Sequence, residues 1–168
     1  MRAITMHQFI FFCIILFLFL IIRILAKRWV FGYIIGGLIF GVFNEVCFEF
    51  CWSYSPLLSP MLWRDVPLFV VVGWGLVAGV AFSLSDMIGA LFHRKHFLIS
   101  LLLDVVLFSS LGYCVESIMS ALHFWEYNFP LLATLWAQIM GYVFIGILVS
   151  FSGRALQNYF DGGAFVKK

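Results

Sequence analysis

Apolar residues run almost unbroken through five stretches of this chain, and short polar segments separate them. Each stretch has about twenty residues or more, the length that an α-helix needs to cross the hydrocarbon core of a bilayer. The connections are too short for a separate soluble domain. The pattern therefore predicts an all-α polytopic membrane protein, a single bundle of five transmembrane helices within residues 1–168. The helices are predicted at residues 9–26, 30–51, 67–92, 97–122 and 130–151.

The composition agrees with a membrane location. Hydrophobic residues make up 64% of the chain and charged residues 11%, and the mean hydropathy is +1.09. A soluble domain of this size could not cover its surface with so few polar groups. The net charge of +2 follows from loop cations and gives no reason to expect a nucleic-acid partner. The cysteines have no metal-ligand or C-x-x-C spacing, so no metal site is predicted. No nucleotide, hydrolase or zinc-protease motif is present, and the sequence leaves the cofactor unknown.

The distribution of lysine and arginine predicts the orientation. The first stretch lacks a small-residue cleavage site and is followed by cations, so we expect a retained helix rather than a signal peptide. With five spans, the positive-inside rule places the amino terminus outside and the carboxy terminus in the cytoplasm, and we expect the inner membrane of a bacterium or an archaeon. The cytoplasmic cations would be Arg23, Lys27, Arg28, Arg94, Lys95, Arg154, Lys167 and Lys168, against Arg2 and Arg64 outside.

A short pattern occurs twice along the chain. G-x-x-x-E stands at residues 41–45 and again at 112–116, and W-x-Y follows at residues 52–54 and 125–127. The next stretch then opens on a proline and carries a tryptophan about two turns later. This order predicts two pseudo-repeated helical hairpins in parallel orientation plus an extra amino-terminal helix. Chance similarity is the alternative, and an interfacial aromatic belt would explain the W-x-Y residues by depth alone. The prolines are Pro67 and Pro130, and the tryptophans are Trp74 and Trp136.

Three glutamates lie inside the predicted helices, where an unpartnered ionised carboxylate costs about 2.5 kcal/mol or more. Glu45 and Glu49 share a face of the second helix with Trp52, at i, i+4 and i+7, and Asn44 lies on the adjacent face. Glu116 takes the corresponding place on the fourth helix. No lysine or arginine is expected at that depth, so at least one carboxyl should hold a proton at neutral pH. We predict that the three glutamates converge on one catalytic site in the outer half of the bundle.

Side chains near these acids are the candidates for substrate binding. His123 shares a face of the fourth helix with Glu116, and the W-x-Y residues follow both glutamates along the chain. The full set is Asn44, Trp52, Tyr54, His123, Trp125 and Tyr127.

A second polar layer is predicted toward the cytoplasm. Asp86 and Asp104 lie at nearly equal distances from the inner ends of the third and fourth helices, and Arg23 is the nearest cation by depth. Arg23 can pair with an aspartate, or its long side chain can reach the interface instead. The aspartates can hold helices together or take part in function, and the sequence leaves both alternatives open.

One part of the chain resembles a known group of membrane enzymes. Glu45-x6-Trp52-x-Tyr54, followed by Val66-Pro67-Leu68 and Trp74, is similar to the integral membrane enzymes of carotenoid synthesis: the carotenoid hydratase family and, more distantly, the small lycopene cyclases. The resemblance covers residues 36–80, with a fainter echo at 104–136. The chain is shorter than those hydratases, and it has Leu68 and Phe69 where the cyclases carry acids. The resemblance implies protonation of an alkene, a role that Glu45 or Glu116 could fill.

These observations support three functional hypotheses. The first is an enzyme whose carboxyls act on a lipid or isoprenoid substrate that enters sideways from the bilayer. A small proton-coupled transporter or channel would use the two polar layers as stations along one path. A structural subunit of a membrane complex would need the acids only to join helices. Membrane lipids are expected partners in each case, and the sequence leaves open a homo-oligomer or a larger complex.

Overall fold

The computed structural model describes residues 6–26, 29–92 and 97–162, and within these ranges the chain forms five α-helices. This part of the chain is mostly helical, and the prediction is confirmed at that level. Three of the helices, α3 to α5, are long and apolar enough to cross a membrane, while α1 and α2 contain shorter apolar segments. The helices are α1 (Met6–Leu25), α2 (Phe31–Cys47), α3 (Leu68–Leu91), α4 (Phe97–Ala121) and α5 (Leu135–Phe160).

Two helix ends differ from the prediction for reasons that lie in local hydrogen bonding. α2 ends at Cys47, and a 3-10 turn over Glu49–Cys51 replaces its expected last turn. Pro130 lies in a turn rather than at a helix start. α5 begins after Thr134, whose hydroxyl accepts a hydrogen bond from the amide of Ala137, as an N-cap residue does. The expectation that a proline opens the helix is confirmed at Pro67, which immediately precedes α3, and is wrong at Pro130.

The carboxy-terminal end of α5 also differs. The helix continues to Phe160 rather than ending near residue 151, so Arg154 lies within a helix and not in a loop. Most of the cations behind the predicted orientation, namely Arg2, Lys27, Arg28, Arg94, Lys95, Lys167 and Lys168, lie outside the described residues.

Helices α2 to α5 form a ring in which each helix packs against two neighbours. α2 packs on α3 and α5, and α4 packs on the same two helices, while α1 lies outside the ring against α3. Glycines allow the close contact of α2 with α5, since a Cβ on Gly36 would stand 2.7 Å from the Cα of Gly153. Such small-residue contacts are typical of membrane helix pairs.

The middle of the ring is filled by aromatic side chains. Phe82 and Phe108 are fully buried there, with ring centroids 6.1 Å apart. Trp74 stacks on Phe108 at 5.9 Å, and Tyr33 meets Phe82 edge to face at 5.4 Å. This layer separates the two ends of the bundle.

Short strands, which the sequence did not predict, close one end of the bundle. β1 (Trp52–Tyr54) follows α2, β2 (Met61–Trp63) and β3 (Val66–Pro67) precede α3, and β4 (Trp125–Tyr127) follows α4. β1 pairs with β4 in antiparallel register, and β2 pairs with β3. We call this end of the molecule the strand end.

Candidate functional site: two carboxyl groups in an aromatic cavity

Glu45 is buried near the end of α2, and donors from four residues surround its carboxyl group. The indole of Trp52 donates to Oε2 at 3.1 Å, and that of Trp74 donates to Oε1 at 2.7 Å. The Tyr54 hydroxyl also donates to Oε2, and the Asn44 amide approaches Oε1 at 3.4 Å. Because these donors come from α2, β1 and α3, the carboxyl is held in one orientation.

Glu116 on α4 has a corresponding set of donors. The indole of Trp125 and the hydroxyl of Tyr127 donate to Oε1 at 2.6 and 2.9 Å. The hydroxyl of Tyr142, on α5, donates to Oε2 at 3.0 Å. Each glutamate thus receives one tryptophan and one tyrosine from the following strand, and one further aromatic donor from the following helix.

The strand pairing explains why four of these rings lie together. Trp52 stands opposite Tyr127, and Tyr54 opposite Trp125. Alternate residues of a strand point to the same face, so the outer residues of both W-x-Y motifs face the carboxyls while the middle residues are exposed. Opposing rings are 6.4 Å apart for Trp52 and Tyr127, and 5.9 Å apart for Tyr54 and Trp125.

The glycine of each G-x-x-x-E motif makes room for the aromatic donor that comes from the following helix. A Cβ on Gly41 would stand 2.8 Å from the Cβ of Trp74, and one on Gly112 would stand 2.4 Å from the ring of Tyr142. A glycine one helical turn before each glutamate therefore lets the donor ring approach closely. This contact gives the repeated motif a physical meaning.

The two glutamates line one cavity of about 650 Å³, a volume within the range of small-molecule sites, about 300–1,000 Å³. Its walls come from α1 to α5 and from the strands, and they are mainly apolar and aromatic. Among the described residues no lysine, arginine or histidine lines this cavity. We call it the glutamate cavity; its polar lining residues are Asn44, Glu45, Trp52, Tyr54, Trp74, Glu116, Trp125, Tyr127, Gln138 and Tyr142.

The tyrosines allow the site to satisfy either protonation state of a carboxyl group. An indole N–H can only donate, whereas a phenol hydroxyl can donate to a carboxylate or accept from a carboxylic acid. Burial raises the pKa of Tyr54 well above its usual range, and the nearby charge of Glu45 acts in the same direction. Burial raises the pKa of Tyr127 as well. Both phenols are therefore neutral near pH 7, and their hydroxyls can follow the proton of the carboxyl.

Five other predicted site residues line the cavity together with Glu45 and Glu116, but two predicted residues do not. Glu49 lies in the 3-10 turn and forms an ion pair with Arg64 at 3.6 Å. His123 is exposed, adopts a positive φ of 56°, and faces Glu126 at 3.5 Å. The expected helical face fails at both positions because α2 and α4 end before these residues. The expected absence of a cation at that depth also fails for Glu49.

The second polar layer exists, but its cation is not the predicted one. Arg154 donates to both oxygens of Asp104, at 2.5 and 2.7 Å, and to Asp86 at 3.2 Å. Tyr33 donates to Asp86 at 2.8 Å, and Ser150 to Asp104 at 2.5 Å. We call this cluster the Arg154 network.

Arg23 lies elsewhere, with its guanidinium 5.0 Å from the ring centroid of Trp29. This position matches the interpretation in which its side chain reaches away from the aspartates.

Trp74 and Tyr142 complete the glutamate site, and neither was predicted as a site residue from the sequence. Trp136, taken as the counterpart of Trp74, is 76% exposed, and Tyr142 takes that role. Position along the chain could have indicated this, since Trp74 follows Glu45 by 29 residues and Tyr142 follows Glu116 by 26. In addition, Trp74 directly follows Gly73 and Tyr142 directly follows Gly141, and both glycines line the cavity.

No protein-family model, curated protein or solved structure matches this chain.

Proposed function

We propose that this chain is an integral membrane enzyme that uses Glu45 and Glu116 for acid/base chemistry on a lipid or isoprenoid substrate. All five helices cross the bilayer in this proposal, with the amino terminus outside. α2 has 17 residues, about the shortest length that spans a bilayer core. The strand end then faces the outer side.

A single observation carries the proposal: two carboxyl groups share a mainly apolar cavity, and no basic side chain neutralises either one within the described residues. Buried carboxylates that only join helices normally have a cationic partner. The Arg154 network is such a structural arrangement. Glu45 and Glu116 instead have neutral donors that hold them in place and leave their protons available.

The chemistry suited to this arrangement is protonation of a carbon–carbon double bond. The π electrons of the alkene take the proton of one carboxyl group and form a C–H bond, which leaves a carboxylate and a carbocation. Aromatic faces and the negative carboxylate stabilise such a cation. Water then adds to the cation and returns a proton to the carboxylate, or the cation loses an adjacent proton to it. Either route restores the acid.

The matching donor sets also support the proposed internal repeat. One hairpin would comprise α2, β1 and α3, and the other α4, β4 and α5. Glu45 and Glu116 are equivalent in this arrangement, and α1 is the extra helix. The resemblance to carotenoid-synthesis enzymes supports a polyisoprenoid substrate for the pair.

Two observations weigh against the alternatives. The layer of Trp74, Phe108 and Phe82 separates the glutamate cavity from the Arg154 network, and a transport path through both layers would need a polar route across it. A purely structural subunit has no evident need for a cavity of about 650 Å³ beside two carboxyls that have no cationic partner among the described residues.

The proposal is tested by removing one titratable proton at a time. Glu45→Gln and Glu116→Gln keep the side-chain shape, and Glu49→Gln is the matched control outside the cavity. Each variant is expressed at equal levels, and the extracted lipids are compared by mass spectrometry. Lipid species that depend on the native chain should disappear with the first two variants and persist with Glu49→Gln. Retention of these species in both cavity variants would refute the acid/base role.

A further inference from the structure

The glutamate cavity reaches the lipid-facing surface between α2 and α5. Phe43 of α2 and Phe144 of α5 line the cavity and are 56% and 64% exposed. Gly141 also lines it, and a Cβ there would meet no atom within 4 Å. We call this opening, lined by Phe43, Gly141, Phe144 and Leu148, the mouth.

The mouth exists because α2 and α5 are in tight contact only away from the strand end. A Cβ on Gly32 would lie 2.1 Å from the backbone nitrogen of Gln157, so the two backbones touch there. Toward the strand end the helices present phenylalanines with open space between them. The opening therefore lies within the apolar stretches of both helices, at the depth of the hydrocarbon.

The corresponding gap on the other side of the ring, between α3 and α4, is covered by α1. Phe11 of α1 lines the cavity from that side and is only 3% exposed. Its ring lies 5.7 Å from that of Phe69, at the start of α3, and 5.8 Å from that of Phe124, just after α4. The ring of four helices would have two lateral openings, and the extra helix closes one of them.

We propose that the mouth is the doorway through which a polyisoprenoid chain passes from the bilayer to the glutamates, and that α1 is a fixed plug of the second doorway. This inference rests on the proposed function and names its substrate class. An isoprenoid has a double bond in every five-carbon unit, so an alkene lies near a carboxyl at whatever depth the chain stops. Gly73 and Gly141, which both border empty space, leave width for its methyl branches.

Two positions of nearly equal exposure provide a matched test. Phe144 in the mouth is 64% exposed, and Phe17 on α1 is 63% exposed. A photoreactive benzoylphenylalanine replaces one or the other in the full chain. The protein is then reconstituted in phosphatidylcholine vesicles with a trace of tritiated geranylgeraniol, a twenty-carbon isoprenoid alcohol. After illumination, radiolabel on the protein is counted.

We expect about tenfold more label at position 144 than at position 17, which corresponds to a preference of about 1.4 kcal/mol for the mouth. Gly141→Leu should remove most of the label at 144, whereas Gly141→Ala should leave it. Unlabelled geranylgeraniol should compete, and a saturated twenty-carbon alcohol should not. Equal labelling at the two positions, or no effect of Gly141→Leu, would refute the doorway. Equal competition by the saturated alcohol would refute the proposal that the substrate is an isoprenoid.

These outcomes are separable from the proposed function. Lipid turnover that depends on Glu45 and Glu116 without preferential labelling at 144 would leave the acid/base role and remove the doorway. Preferential labelling at position 144, together with turnover that the glutamate variants do not change, would support the doorway and refute the acid/base role.

Discussion

Trp74 and Tyr142 lie with their ring centroids 5.9 Å apart in the centre of the bundle, and each donates a hydrogen bond to a different glutamate. The contact joins the two carboxyl sites into one unit. A substitution that moves either ring should therefore alter the hydrogen bonds to both glutamates.

Tyr142→Phe removes one donor to Glu116 and keeps the ring that contacts Trp74. A hydrogen bond to a charged group contributes about 1.5–3 kcal/mol, so turnover should fall by roughly 10- to 100-fold. The measurement is the rate of product formation in vesicles. Tyr159→Phe is the control, since Tyr159 is 79% exposed, and it should retain the native rate. An unchanged rate in Tyr142→Phe would show that Glu116 does not need this donor.

Gly112→Val should destabilise the fold by pushing the ring of Tyr142 away from Glu116. The new Cβ would stand 2.4 Å from that ring, and overpacking of this kind typically costs about 1–3 kcal/mol. Gly141→Ala is the matched control on α5, since nothing lies within 4 Å of its Cβ, and it should keep or slightly raise stability. Thermal unfolding in detergent micelles provides the comparison. Equal midpoints for both variants would mean that the ring can move freely.

Arg154→Met should be strongly destabilising because it leaves Asp104 buried without its cation. Breaking a buried ion pair typically costs about 3–5 kcal/mol. Arg64→Met is the control, because the Arg64 side chain is 70% exposed and a surface pair contributes about 0–1 kcal/mol. Denaturant unfolding in micelles should separate the two variants. Lipid turnover per folded molecule should be unaffected in Arg64→Met.

The proposed orientation predicts which end of the bundle is accessible from outside. In a background without native cysteines, Ser59→Cys at the strand end should react with an impermeant thiol reagent on intact cells. Asn158→Cys, near the end of α5, should react only after the membrane is opened. The reverse pattern would place the strand end in the cytoplasm.

The length of the hydrophobic runs and the repeated W-x-Y motif determined much of what could be predicted from the sequence. All five helices were expected, because a bilayer-length apolar run with short flanks has few other structures available to it. Glu45, Glu116 and the W-x-Y residues were identified because a carboxyl within such a run is unusual by itself. These properties are local, so the order of residues is enough to reveal them.

Only the tertiary structure decided which side chains meet. Glu49 and His123 were lost from the site because helix ends depend on capping and turns, and Thr134 rather than Pro130 starts α5 for the same reason. Tyr142 and Arg154 act on partners 26 and 50 residues away, and no periodicity within one helix reports such a distance. The closure of one lateral gap by α1 depends on how helices pack around the ring. Hydropathy determines whether a helix can lie in a membrane, whereas shape complementarity between side chains determines which neighbouring helices it packs against.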